Sequence, residues 1–537
     1  MHVYNSHRGQ LGLHLPNKLL VDNFAGGGGA SIAMEMAFGR PVDIAINHDP
    51  EAISMHKVNH PDTEHYCESV WDVDIIKACK GREVEWVHSS PDCKHHSKAR
   101  GGKPMDKNIR GLAWIVPKWG LLKEPDNLSL ENVEEFKSWG PLLPGGHACP
   151  DSKGVTFKAF QLALTTGIKP NQTICRMPGL ATNYSPWREA VVAMGIEHNT
   201  KLKLKLSKGL NYSIDWNEVV ACKNNAPTTR KRLFMFAKKD GSKICWAKPT
   251  HGKPNSLEVQ SGKLKPYRTA AECIDWSVPV RSIFNRKRPL AEKTMQRIAR
   301  GLKKFVIDNP NPFIAPVEAA PFITECANAS NQRNMPIDEP LRTITAQTKG
   351  GTFALVTAFL AKHYGGNYTG AGINLTNPVD TITTTDHHAL VTSHLLKLRN
   401  NCTGSPTDEP VPTITAGGLH IGEVRAFLLK YYGNEKDGLG VDEPLHTITT
   451  NDRFGLVTVK GVDYQIVDIG MRMLEPHELY AAQSFPPGYI HDRTSDGKKL
   501  SKKAQVRMCG NSVAPEPFAA LIRANINKES KEQEQAA

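Results

Sequence analysis

Four consecutive glycines, Gly26 to Gly29, follow Phe24-Ala25 and separate an apolar run, Leu19-Leu20-Val21-Asp22, from the helix-forming stretch Ala30 to Phe38. A backbone without Cβ atoms turns tightly and lets another group come close. This reads as a short buried strand that runs into a glycine loop and then a helix. Asp43–Asn47, Glu85–His88, Leu128–Val133 and Leu233–Ala237 are further strand candidates. Strands alternating with helical stretches point to a parallel α/β sheet. In such sheets ligands bind beyond the carboxyl ends of the strands. The glycine loop, Cys93 and Glu131 all fall at such ends.

The chain has 537 residues, enough for more than one domain. Its net charge of +13 points to a polyanionic partner, most simply nucleic acid. No apolar run is long enough to span a bilayer, and the N-terminus has no basic-then-apolar signal pattern. The 11 cysteines are scattered, with no Cys-x-x-Cys pair, which argues against a disulfide framework and a structural zinc site. Cys93-Lys94-His95-His96 fits no common zinc spacing, so no metal is expected. A reducing, cytoplasmic setting is the expectation.

From about residue 250 prolines become frequent and helical periodicity fades. Arg281 to Phe305 reads as a basic helical stretch suited to phosphates. Pro-x-x-Thr-Ile-Thr then occurs four times, at Pro340–Thr345, Pro378–Thr383, Pro410–Thr415 and Pro444–Thr449, with spacings of 38, 32 and 34 residues. Each unit is short and β-rich, so the units must pack on one another. The loops between them carry His363, Tyr364, His387, His388, Arg399, Asn400, His420, Tyr431, Tyr432 and Arg453. Such side chains suit base edges and phosphates, and equally suit the polar loops of a structural stack. Residues 1–17 are polar and irregular, α/β character returns over the last 60 or so residues, and the charged tail 528–537 reads as disordered.

A thiolate such as that of Cys93 is a strong nucleophile. Pyrimidines are electrophilic at C6, and attack there makes C5 nucleophilic if charge at N3 is neutralised. Glu131, in Glu131-Asn132-Val133, is the candidate acid. Arg230 and Arg232 offer guanidiniums for O2 and a flanking phosphate. C5 then needs an electrophile, and a sulfonium methyl beside the glycine loop would serve.

In this order the motifs resemble the DNA (cytosine-5) methyltransferase family. The resemblance covers residues 19–240 and 466–525. Phe24, Ala25, Gly26, Gly27 and Gly28 resemble its cofactor loop, Pro91-Asp92-Cys93 its nucleophile loop and Glu131-Asn132-Val133 its acid motif. Pro227 to Arg232 resembles its arginine motif. Arg472 to Pro486 resembles the segment before its last motif, and Gly510-Asn511-Ser512-Val513 that last motif. The chain departs from the family pattern at Asp92 and Lys94, and at Asn47, Ser69 and Thr228, which stand where the family has Glu, Asp and Gln. His48 falls at an adenine-stacking position.

The resemblance implies an α/β, Rossmann-like S-adenosylmethionine-dependent methyltransferase domain over 18–250 and 466–527. A β-rich target-recognition domain with internal repeats (about 321–460) would occupy 251–465. It implies Cys93, Glu131, Arg230 and Arg232 as catalytic residues. S-adenosylmethionine would lie against Phe24–Gly28, Asn47, His48, Ser69, Pro91, Asn511, Ser512 and Val513. Double-stranded DNA is the implied partner of a prokaryotic or phage-encoded enzyme. A cognate restriction endonuclease, an orphan regulator and phage self-protection all fit. An RNA cytosine-5 methyltransferase and a catalytically impaired DNA-binding homologue are the alternatives.

Overall fold

The computed structural model describes residues 18–92, 111–143, 146–171, 184–278, 280–284, 286–309, 313, 322–327, 333–336, 351–356, 359–360, 373–374, 389–397, 404–414, 421–430, 454–459 and 462–526. The chain divides into two compact units. The first holds Met1–Arg268, Thr413–Gly417 and Tyr480–Ala537; the second holds Thr269–Pro412 and Gly418–Leu479.

The first unit is built on a seven-stranded sheet: β1 Leu19–Asn23, β2 Ile44–Ile46, β3 Glu64–Tyr66, β4 Val84–Ser89, β5 Asn127–Asn132, β6 Ser213–Val220 and β7 Lys231–Lys238. Their order is β3-β2-β1-β4-β5-β7-β6. β1 to β5 run parallel, as the alternation of strands and helices predicts. β7 departs from that expectation, because it runs antiparallel to both β5 and β6. β6 and β7 are joined by the short segment 221–230, and so short a connection permits only an antiparallel pair. The sheet is therefore mixed and mainly parallel, in a Rossmann-like arrangement.

Alternate residues of each strand face opposite sides of the sheet, which sorts the core into two layers. Val21, Val87, Leu128 and Leu130 pack with Trp114, Trp119 and Phe160 on one face. That face is covered by α3 Ile115–Leu122 and α4 Val155–Leu164, numbered after α1 Gly29–Phe38 and α2 Pro50–Asn59. Leu20, Trp86, Phe234 and Phe236 pack on the other face with Ala33 and Met34 of α1 and Phe518 and Ile522 of α6 Pro515–Arg523. α5 Lys502–Asn511 precedes α6. Residues from the far end of the chain thus complete the layer that begins at β1.

The second unit has an antiparallel sheet in the order β8-β13-β11-β9-β10, with β12 also paired to β13. These strands are β8 Arg281–Ser282, β9 Ala389–Lys397, β10 Ser405–Pro406, β11 Ile421–Lys430, β12 Phe454–Val459 and β13 Val462–Met473. The helix Glu292–Leu302 lays Ile298 and Leu302 against Val424, Ala426, Ile469 and Met471. The expected helical stretch Arg281–Phe305 is thus interrupted: Arg281–Ser282 is a strand, and Pro289 disfavours helix in the residue before it. Of the four repeats only Pro410–Ile414 is described; the other three lie outside the described residues, as do residues 1–17 and the tail 528–537.

One polar network runs through the core of the first unit. Asp22 of β1 is fully buried and accepts from Ser31 Oγ at 2.8 Å. That hydroxyl meets His56 Nε2 at 3.0 Å, and His56 Nδ1 meets His65 Nε2 at 2.8 Å. Burial drives the Asp22 carboxyl up to about 7, and drives His56 well below and His65 down to about 4. A raised carboxyl favours folding fully below its unfolded value and loses that contribution as pH rises through its folded value. Asp22→Asn is therefore expected to be more stable than the parent at pH 8 by on the order of 1–4 kcal/mol, with the difference vanishing near pH 4. Urea denaturation across that range checks it; a difference independent of pH would be the contrary result.

Candidate active site

β1 ends at Asn23, whose side-chain amide donates to Ser89 Oγ at the end of β4 at 3.1 Å. Phe24 turns the chain out of the sheet at φ +68°, a left-handed value that is uncommon outside glycine. Ala25 N–H donates to the Ile46 carbonyl at 3.0 Å, which ties the loop to the end of β2. Gly28, at φ +79°, precedes α1 and offers it no side-chain cap.

The glycines differ in what surrounds them. A Cβ on Gly27 would lie 2.7 Å from the Met508 carbonyl, and one on Gly29 would lie 2.0 Å from the Val513 carbonyl. Gly29 N–H donates to Ser512 Oγ at 3.0 Å. A Cβ on Gly26 would meet only Asn47 Nδ2 and the Phe24 carbonyl, each at 3.7 Å. Gly27 and Gly29 are thus needed for packing, whereas a Cβ on Gly26 would make only ordinary van der Waals contacts beside Asn47.

Asn47 is half-buried, and its Oδ1 accepts from Asp49 N–H at 2.8 Å. His48 beside it is exposed. Asp49 caps α2 and pairs with Arg507 of α5, whose guanidinium also reaches Glu51 at 2.9 Å. Ser69 lies in the loop after β3, where its hydroxyl accepts from Trp71 N–H at 3.3 Å. Neither His48 nor Ser69 is joined to the glycine loop by a described hydrogen bond. Cys93 lies outside the described residues. The buried Pro91, two residues before it, offers its carbonyl to Asn132 Nδ2 at 3.2 Å. The root of the Cys93 segment is thereby tied to the residue after Glu131.

Glu131, the last residue but one of β5, has its side chain 7% exposed and receives Arg232 Nε at 2.9 Å and Arg230 Nη2 at 3.3 Å. Arg230 is itself 3% exposed. Its Nη1 donates to the Gly510 carbonyl at 3.0 Å and to the Ile414 carbonyl at 3.4 Å. A guanidinium has a fixed fork of donors that can serve such a divided set of acceptors; an ammonium cannot. Arg230 is thus committed to Glu131 and two main-chain carbonyls. Arg232, 14% exposed, is the guanidinium nearer solvent. A small cavity is lined by Glu131, Arg230, Arg232, Phe234, Val513 and Pro517. The site therefore presents a carboxylate held by two cations beside an opening of mixed polar and apolar lining.

Two features here lay outside the sequence reading, and a third, within the segment Arg472 to Pro486, gained its contact only in the structure. Tyr489 donates its phenol to the Gly27 carbonyl at 3.0 Å. His60 Nδ1 meets Glu35 Oε1 at 2.7 Å behind the glycine loop, and its ring stacks on that of His56 at 4.1 Å. The four-residue spacing of His56 on α2 and His60 at its C-cap was a readable signal that they share a face. Third, Gln483 Nε2 donates to the Cys509 carbonyl at 2.7 Å, which joins the Gln-Ser-Phe-Pro segment to α5. Among the described residues no group of three or more His, Cys, Asp or Glu side chains could hold a metal ion, and no helix is long and apolar enough to cross a membrane.

No curated protein matches the chain. Among solved structures, a DNA modification methyltransferase encoded within an E. coli prophage is 14% identical, with 96% of this chain and 100% of that chain covered and a TM-score of 0.41. The S. pombe Dnmt2 methyltransferase is 12% identical, with 94% and 97% covered and a TM-score of 0.39. A Spodoptera frugiperda DNMT2 variant is also 12% identical, with 95% and 100% covered and a TM-score of 0.39. Residues 20–139 match the family model for C-5 cytosine-specific DNA methylase. The matched segment carries the glycine loop, the Pro91–Cys93 run and Glu131.

Proposed function

We propose that the chain is a DNA cytosine C5-methyltransferase that draws its methyl group from S-adenosylmethionine and works through a covalent Cys93 adduct. The observation that carries this reading is Glu131. It is a buried carboxylate at a strand end, gripped by Arg230 and Arg232, and its neighbour Asn132 anchors the root of the Cys93 segment.

The glycine loop fits the cofactor. Gly26 lies beside Asn47 with room for a Cβ at ordinary contact distance, and Gly28 offers α1 no side-chain cap of its own. Phe24 to Gly28 and Asn47 would hold S-adenosylmethionine, with His48, Ser69, Pro91, Asn511, Ser512 and Val513 around them. Asn47 can accept or donate a hydrogen bond to a hydroxyl, without the charge a Glu would bring. When bound, the cofactor supplies the methyl group that an activated C5 takes.

The target cytosine must leave the helix to be reached. The Cys93 thiolate then adds to C6, and a sulfur–carbon bond forms. Glu131 shares or gives a proton to N3, which neutralises the charge that would otherwise build on the ring. Arg232, the more exposed guanidinium, holds the base at O2. Arg230 holds Glu131. After C5 is methylated, its proton leaves to water, the C5–C6 double bond re-forms and the C6–sulfur bond breaks. Residues 251–465 are proposed to read the target sequence in double-stranded DNA, a role the net charge of +13 supports.

Cys93→Ala is expected to abolish transfer of labelled methyl to duplex DNA. A duplex carrying 5-fluorocytosine, with donor present, is expected to trap the wild-type chain covalently, and lack of trapping would remove the adduct. Glu131→Gln is expected to lower kcat by roughly 100-fold to 10,000-fold. Bisulfite sequencing of DNA from expressing cells then gives the target. Incorporation into tRNA instead of duplex DNA would reassign the substrate to RNA.

A further inference from the structure

The glycine loop has a weakness that its composition creates. Gly27 and Gly28 each accept either sign of φ, so the peptide plane between them can turn over at little steric cost. In a trans peptide the carbonyl of one residue and the N–H of the next point to opposite sides. Whatever fixes the Gly27 carbonyl therefore decides which way the Gly28 N–H faces.

The structure assigns that task to Tyr489: we infer that it is a positioning residue whose phenol latches the Gly27 carbonyl and so turns the Gly28 N–H away from itself, in the sense that cofactor binding requires. This rests on the cofactor reading given above. The phenol lies 3.0 Å from the Gly27 carbonyl oxygen. A Cβ on Gly28 would come within 2.1 Å of the same hydroxyl, so the latch also requires glycine there.

Tyr489 is held from several sides. Its ring centroid is 4.9 Å from that of Phe485 and 6.0 Å from that of Tyr480, which it stacks upon. Its own N–H donates to the Pro486 carbonyl at 3.2 Å. The next residue, Ile490, is clamped at both main-chain groups by Asn59 of α2, at 2.9 and 2.7 Å. Burial pushes the phenol well above its usual range, so it remains a donor throughout the neutral range. On the far side of the loop Ser512 Oγ takes the Gly29 N–H, which pins the loop at two successive points.

Tyr489→Phe keeps the ring and removes only the hydroxyl. Calorimetry on the full chain with S-adenosylhomocysteine is expected to show affinity weakened by about fivefold to tenfold, the loss of one hydrogen bond. KM for the donor should rise by a similar factor while kcat stays within about twofold, as for an interaction made equally in ground and transition states. Amide hydrogen exchange at Gly28 to Ala30 in the ligand-free variant should quicken, a change that distant packing would not produce. Urea melting reports whether the variant is folded, and if it is not, Asn59→Ala, which releases Ile490 beside Tyr489, should weaken the same binding, with wild-type affinity in a folded Asn59→Ala protein counting against the latch. A folded Tyr489→Phe protein with wild-type affinity and exchange would overturn the inference alone. A wild-type chain that does not bind the probe would overturn the cofactor reading and this inference together.

Discussion

The first unit depends on a close approach between two stretches of backbone from opposite ends of the chain. Gly29 N–H meets Ser512 Oγ across 483 residues of sequence. A Cβ on Gly27 or Gly29 would strike the Met508 or Val513 carbonyl, so this contact exists only because the side chains are missing. Once it is made, α6 falls beside α1 and closes the layer of Leu20, Trp86, Phe236 and Phe518. The apolar area buried there is non-directional and cannot by itself set the position of the glycine loop. The hydrogen bonds of Ser512 and Tyr489 set it.

The acid site solves a different problem. Taking a carboxylate and a guanidinium out of water costs several kcal/mol per ion, and a single contact seldom offsets that. Glu131 has two guanidiniums, and Arg230 adds two main-chain carbonyls that take up donors Glu131 cannot reach. The arrangement fixes the direction of the acid's oxygens. One of the carbonyls, that of Ile414, comes from the only repeat among the described residues, and Thr413–Gly417 belongs to the first unit although the residues flanking it belong to the second. A segment that reads in sequence as part of a repeated stack thus also supplies a backbone acceptor to the acid site.

Much of this was legible in the residues, and the rest was not for identifiable reasons. β1, β2, β4 and β5 are short apolar runs closed by polar residues, and they appear where such runs predict. β3, Glu64-His65-Tyr66, is a three-residue edge strand with no apolar pattern, and nothing in its composition marks it. β6 is half-buried, so its polar and apolar residues mix, and it went unread. The direction of β7 follows from its pairing with β6, so missing one strand led to the wrong direction for the next. Glu131 and the arginines could be named from their motifs. That Arg230 faces inward could not, because residue type does not distinguish a cation spent on a carbonyl from one offered to a phosphate. Tyr489 lay three residues beyond a segment already singled out, but an aromatic beside a Pro-Pro-Gly turn reads as ordinary packing until its hydroxyl is placed.

These contacts also constrain how the chain can reach its working form. A buried charged pair with incomplete partners is unstable, and Arg230 gains the Gly510 carbonyl only when that residue, 280 positions later, has joined it. The glycine loop likewise lacks both pins until the segment from Tyr489 to Ser512 is in place. Contacts of such sequence separation form late, since the entropy of closing the intervening chain must be overcome before they add anything. β1, β4 and β5 can pair earlier, because each pair spans far less sequence. The order this imposes is a sheet first and a site afterwards: the strand ends are laid down by local pattern, and the acid and the loop take their final geometry only when the last residues of the fold arrive.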